Sequence, residues 1–216
     1  MAKIQTNPKN WKFVGGRLCL DFINTVGGRV GPATVLRDKL ADYSDLLEWS
    51  RLASIANPTE SRNLARLSAS HQQHTEPILA RAVVLREALY RIFKSAIEGR
   101  RPRPADLDTL SRELRVAMAR ERLTHTRGVF GWTFEDEPAL DRILWPVSLS
   151  AADLLTSSHL PRLRQCGGEE CAWMFLDTSR NRSRHWCDMK DCGNRAKVRR
   201  FRKRQQRSPR PLRASK

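Results

Sequence analysis

The chain has 216 residues, with 40 Lys and Arg against 23 Asp and Glu and a formal net charge of +17. That length allows one moderate core with a small appendage. The chain opens on no apolar h-region and holds no run of about 18 apolar residues, which argues against secretion and membrane insertion. A cytoplasmic protein with reduced thiols is expected. The charge is uneven. Residues 161–216 hold 17 basic and 5 acidic side chains, a net of +12, and residues 1–160 hold 23 and 18, a net of +5. Such asymmetry points to a polyanionic partner on one module.

Residues 1–10 are polar and read as loose. Arg17 to Phe22 reads as a strand entered through Gly15-Gly16, and 26–32, with three glycines and a proline, as a loop. An amphipathic helix is expected from about Ser44, with Leu46, Leu47, Trp49 and Ala53 on its apolar side, ended by Asn57-Pro58. A weaker helix follows over 59–69. The clearest periodicity runs over 76–98, where Leu79, Ala82, Val83, Leu89, Ile92 and Phe93 recur at three- and four-residue steps. Pro102 and Pro104 mark a linker within the domain, and a further helix is expected over 105–120. Two β-like runs flank Gly128, with Phe130, Trp132 and Phe134 alternating. A last helix, kinked at Pro146, is expected over 138–158.

Four of the five cysteines close the pattern as Cys166-x4-Cys171-x15-Cys187-x4-Cys192. Two close thiol pairs separated by enough chain to fold back can meet at one tetrahedral metal, so one zinc ion per chain is expected. Gly167, Gly168 and Gly193 permit tight turns at each pair. A module this small commonly needs a metal to make up for its core. The fifth thiol, Cys19, lies in the apolar run Leu18-Cys19-Leu20 and reads as a small buried hydrophobe. His185, two residues before Cys187, reads as a basic-face residue, since four thiolates already complete the set.

A closed four-cysteine set leaves no position for water, and no glycine-rich phosphate loop, nucleophile elbow or HExxH is present. No enzymatic activity is expected. The basic side chains instead form two candidate surfaces. Arg180, Arg182 and Arg184 alternate, and on an extended strand they would share one face towards successive phosphates. Asn194 can cap a helix from Arg195 to about Gln206, with Val198 and Phe201 as its inner stripe. Arg195, Lys197, Arg199, Arg200, Arg202, Lys203 and Arg204 would cover the rest. The segment Ala172–Leu176 reads as a short strand. Trp173 and Phe175 on one face either stack on bases or cover the metal and dock the finger, and in so small a module docking is favoured. Asp177 could pair with Arg180 or Arg184. In the first domain Asp21, Asn24 and Thr25 cluster at a strand end, where turn chemistry is favoured over a ligand site.

The residues go further than a generic zinc pattern. Cys171-Ala-Trp-Met-Phe-Leu-Asp177, Arg180-Asn-Arg-Ser-Arg-His-Trp-Cys187 and Cys192-Gly-Asn-Arg-Ala-Lys197 resemble the CGNR zinc-finger family, which is named for Cys192-Gly193-Asn194-Arg195. Upstream, Phe13-Val-Gly-Gly-Arg-Leu-Cys-Leu-Asp-Phe-Ile-Asn-Thr25 is similar to the start of the ABATE domain that usually precedes this finger. The resemblance covers nearly the whole chain. It implies a bacterial regulator with a zinc-bound, nucleic-acid-binding C-terminus.

The expected architecture is α+β. Residues 1–160 form a mainly helical domain with a small β element, 161–206 a four-cysteine zinc finger with a basic helix, and 207–216 a disordered basic tail. The expected partner is nucleic acid, with DNA favoured over RNA, and a small-molecule or stress signal is expected at the first domain. An RNA-binding protein using the same arginines and a protein-interaction adaptor using the finger as a docking knob are the alternatives.

Overall fold

A computed structural model describes residues 9–30, 34–135 and 138–207. The expected loose residues 1–8 and all of the expected disordered tail except Arg207 lie outside that range. Among the described residues no helix is long and apolar enough to cross a membrane.

The chain begins with a short helix, α1 (Leu18–Ile23), where a strand was expected. A short apolar run fits either period. Here the helical turn places Cys19, Leu20, Phe22 and Ile23 together in the core, all 1% exposed or less. The expected loop at 26–32 is in part a strand. β1 (Val26–Val30) pairs antiparallel with β2 (Thr34–Asp38), Val26 facing Asp38.

The helices follow. α2 spans Tyr43–Leu52 and α3 Pro58–Ser70. Both start on capping boxes, Asp42 with Asp45 and Asn57 with Glu60, which satisfy the orphan amide donors of a first turn. α2 therefore ends at Leu52, before the expected stop at Asn57-Pro58, and that pair starts α3 instead, because proline fits the first helical position. α4 (Gln72–Ile97) begins earlier than its apolar spacing implies, with Pro77 inside it. α5 is Pro104–Ala119. The hairpin around Gly128 forms as β3 (Glu121–Thr126) and β4 (Val129–Phe134). A 3-10 turn at Leu140–Ile143 leads into α6 (Leu144–Thr156). Pro146 sits in the first turn of α6, where its missing N–H is no loss.

The remaining elements are β5 (Leu163–Gln165), β6 (Met174–Leu176), a π-helical turn at Met189–Gly193, and α7 (Asn194–Arg207). β5 and β6 pair antiparallel, Leu163 facing Leu176. Leu163, Met174 and Leu176 belong to the same hydrophobic cluster as α1, α2, α4 and α6. The strands of the finger are thus built into the helical core.

Among the buried polar groups, a guanidinium ties two elements of that packing together. Arg86 on α4 is 1% exposed. It donates to both carboxylate oxygens of Asp38 at 2.7 and 2.6 Å, to Thr25 Oγ1 and to Glu87. A charge that is buried needs such pairing. It ties α4 to the β1–β2 hairpin.

Candidate metal centre and basic surface

The four sulfurs of Cys166, Cys171, Cys187 and Cys192 lie within 4.8 Å of one another, and all four residues are buried. Cys187 Sγ is 3.6 Å from both Cys171 Sγ and Cys192 Sγ. That is too long for a disulfide. It is close to the edge of a tetrahedron with metal–sulfur bonds of about 2.3 Å, which is about 3.8 Å.

Proton chemistry also calls for a cation. Hydrogen bonds from Cys171 and Cys187 pull the Cys166 thiol down to about 2. Its hydrogen bond with Cys166 pushes Cys171 up to about 12, and Cys187 is driven in the same direction by Cys166 and Cys171. Four buried sulfurs this close cannot all ionise unless a cation sits between them. The donor set is all thiolate, which suits zinc. Bound there, zinc would be held by these four side chains as a structural ion.

The local chain is shaped for that cradle. The amide of Gly167 donates to His185 O, and that of Cys171 to Gly168 O. A Cβ on Gly168 would stand 3.1 Å from Cys171 Cβ and 3.4 Å from Cys192 Sγ, so only glycine leaves the sulfurs room. The amide of Cys187 donates to Cys166 Sγ at 3.3 Å, and Arg195 Nη2 to Cys192 Sγ at 3.2 Å. Both offset sulfur charge. Lys12 reaches across from the first domain to Asp188 and Asp191, 3.1 Å each.

Phe175 is fully buried beside the sulfurs, and Trp173 Nε1 donates to Val26 O at 2.7 Å. Both therefore dock the finger, Phe175 with no exposed surface left for a base. The arginine comb does not form. Residues 177–187 turn, because Asp177 is buried and accepts from Ser179 N, Ser179 Oγ and Arg184 N. Asp177 thus meets the main chain of Arg184 and not its guanidinium. Arg182 adopts φ 50°. The Arg184 side chain points inward, 4.1 Å over the Phe175 ring, donating to the carbonyls of Val14, Leu176, Trp186 and Cys187. Arg180 and Arg182 are exposed, while Arg184 is a structural tie.

The basic helix forms, with two corrections. Asp188, and not Asn194, supplies the cap, accepting from Lys190 N at the start of the π turn that runs directly into α7. The expected inner stripe is open: Val198 is 48% and Phe201 61% exposed, because only the first turn of α7 has protein beneath it. Arg195 pairs with Asp191 and Arg199 with Glu169. Among the described residues Lys197, Arg200, Arg202, Lys203 and Arg204 meet no carboxylate. His185 is exposed and is not part of the sulfur cluster.

Asp21, Asn24 and Thr25 are committed to the fold. Asp21 accepts from Gly15 N, and its burial pushes its carboxyl up to about 6. Asn24 brackets β6, donating to Met174 O and accepting from Met174 N. Thr25 bonds Phe22 O and receives Arg86. Buried Cys19 donates to Ser150 O, and burial drives its thiol up to about 12, the inert hydrophobe expected.

Trp186 escaped the sequence reading. It packs on the sulfur cluster between Gly167 and Gly193. A Cβ at Gly193 would lie 2.8 Å from Met189 Sδ and 3.3 Å from Trp186 Cδ1. A glycine on each side of the metal, with a tryptophan beside the third ligand, was the available signal.

Comparison with protein families agrees with this geometry. The model for ABATE, described as "Putative stress-induced transcription regulator", matches residues 16–158. The chain belongs to the ABATE family. The model for the CGNR zinc finger matches residues 162–205, so an ABATE domain is followed by a CGNR finger holding one zinc ion. A search of curated proteins finds no match to the chain.

Proposed function

We propose that this ABATE protein is a nucleic-acid-binding regulator that meets its target through α7 and uses zinc to aim it. The observation that carries the proposal is the unpaired charge of that helix. Its 14 residues hold eight Lys and Arg and no acid. Like charges at three- and four-residue steps destabilise a helix that lacks counterions. Phosphates supply them, and a helix of this width fits a duplex major groove. The description of the family as a transcription regulator favours DNA over RNA. The positive end of the α7 dipole lies at the thiolates, which stabilises both. No catalytic role is proposed, because four thiolates leave no open metal position.

A salt series tests this. If the five cations without a carboxylate each neutralise one phosphate, log K should fall with log salt at a slope near −4.5. A slope near zero for DNA and RNA alike, in zinc-loaded protein, would make the finger a protein-docking adaptor.

The regulatory half of the proposal places an effector in the groove between α2 and α3, about 950 Å³ and lined by Leu47, Ile55, Arg51 and Arg62. Ser61 Oγ is buried on its wall with no hydrogen-bond partner. Thermal shifts with a panel of small metabolites, repeated on Ala65→Trp to fill the groove, would detect such a ligand. No shift with any compound would count against it.

A further inference from the structure

We infer that the finger holds an unpaired nucleobase in the groove between Trp186 and α7, so that its target is single-stranded or locally opened nucleic acid. The inference rests on the nucleic-acid reading and narrows it. The groove measures about 420 Å³. Gly167, His185 and Trp186 form one side, and Arg199, Arg200 and Lys203 the other. Aromatic surface and phosphate-binding charge therefore face each other across one opening.

Trp186 is held firmly enough to serve as a platform. Part of it packs on the sulfur cluster, and a Cβ added at Gly167 or Gly193 would stand 3.4 or 3.3 Å from its ring, so the two glycines leave the ring its place. The rest lines the groove. The other aromatics of the finger are already engaged, Phe175 beneath Arg184 and Trp173 on Val26 O. His185 is exposed beside it, ring centroids 6.5 Å apart.

A flat aromatic face beside a basic wall is what binds one strand: the base stacks and the flanking phosphates meet the cations. A duplex offers base edges in its grooves but no free base face. The Arg199–Glu169 pair on the rim is 3.4 Å long and largely exposed, so it can open at little cost.

The test compares a single-stranded DNA oligonucleotide with the duplex of the same sequence, by anisotropy on the full chain with zinc content checked. Trp186→Leu should weaken single-strand binding about tenfold and change duplex binding less than about twofold, and Trp186→Phe should restore most of the loss. Equal losses on both forms, or no loss on the single strand, would overturn the inference while leaving α7 as a phosphate binder. Wild-type protein that binds neither form would overturn the nucleic-acid reading as well. Tighter binding of poly-glutamate than of the oligonucleotide at equal salt would assign the groove to an acidic protein instead. If Trp186→Leu loses zinc, photocrosslinking of wild-type protein to a 5-iodouracil oligonucleotide decides. Crosslinks at Trp186 or His185 support the inference, and crosslinks confined to other residues overturn it.

Discussion

The two sides of the finger differ in almost every physical respect, though one set of cysteines joins them. On the inner side β6 has three residues, all buried, Met174 and Leu176 in the main core and Phe175 against the sulfurs. On the outer side α7 has 14 residues, nearly all exposed, with two apolar side chains left in water. Three residues of strand would be negligible alone. They are stable because α1 lies against them and Asn24 completes their hydrogen bonds. α7 has no such support beyond its first turn. The inner side shows what the fold consumes, and the outer side what it leaves for a partner.

Zinc removal should break both sides and be the largest effect. Cys166 and Cys171 lie between β5 and β6, so their release frees Met174 and Leu176 from the core. Metal binding in such modules is also folding free energy, about 10–16 kcal/mol in isolated fingers. Cys187→Ser or a chelator should lower thermal stability markedly, and amide exchange should accelerate at Leu20 and Phe22 as well as at α7. Unchanged protection at α1 would show that the helical domain stands alone.

The zinc ligands were legible because metal geometry constrains spacing directly. α7 was legible because no acid interrupts its cations. Other features depended on partners distant in sequence. Arg180, Arg182 and Arg184 alternate only if the chain is extended, and the buried carboxylate of Asp177 turns it instead. α1 could not be told from a strand until the core chose its period. The glycines of β1 hid a strand whose partner begins four residues after it ends. Asn24 and Thr25 had turn chemistry in the sequence, but their partners Met174 and Arg86 are far along it.

A smaller effect tests the inner side through pH. Asp21 has its carboxyl raised to about 6 by burial, against an ordinary value of 3.8. A carboxyl raised in the folded state holds its proton there after the unfolded chain has lost it. Its contribution to stability is therefore full below about pH 4 and falls as pH rises to about 6. Asp21→Asn removes this titration. The stability of the wild type relative to the variant should fall by about 2 kcal/mol between pH 4 and pH 7. Urea midpoints at both pH values measure it, and a constant difference would show that Asp21 is not desolvated.

Asn24→Ala should cost about 2 kcal/mol, because Met174 N and O would be left buried without partners. Restoring polarity with Asn24→Asp should recover little, since a carboxylate cannot donate to Met174 O. Thermal unfolding measures both. A loss below about 0.5 kcal/mol would mean that water replaces the side chain, and that the inner side is wetter than its burial indicates.

The smallest stability effect is also the sharpest contrast between the two sides, because it compares two arginines of one finger. Arg184 donates to four carbonyls and covers Phe175, while Arg200 is exposed and meets no carboxylate. Arg184→Ala leaves those carbonyls short of a charged donor, so it should lower stability by about 1–3 kcal/mol. It should leave the salt slope of nucleic-acid binding unchanged once the protein is folded and zinc-loaded. Arg200→Ala should change stability by less than about 0.5 kcal/mol. Its effect should appear in binding alone, flattening the slope by about 0.9 for the lost phosphate. Thermal unfolding and anisotropy on both variants settle the pair. If Arg184→Ala flattened the slope and Arg200→Ala did not, the contact surface would lie on the turn at 177–187, and α7 would be only its solvated neighbour.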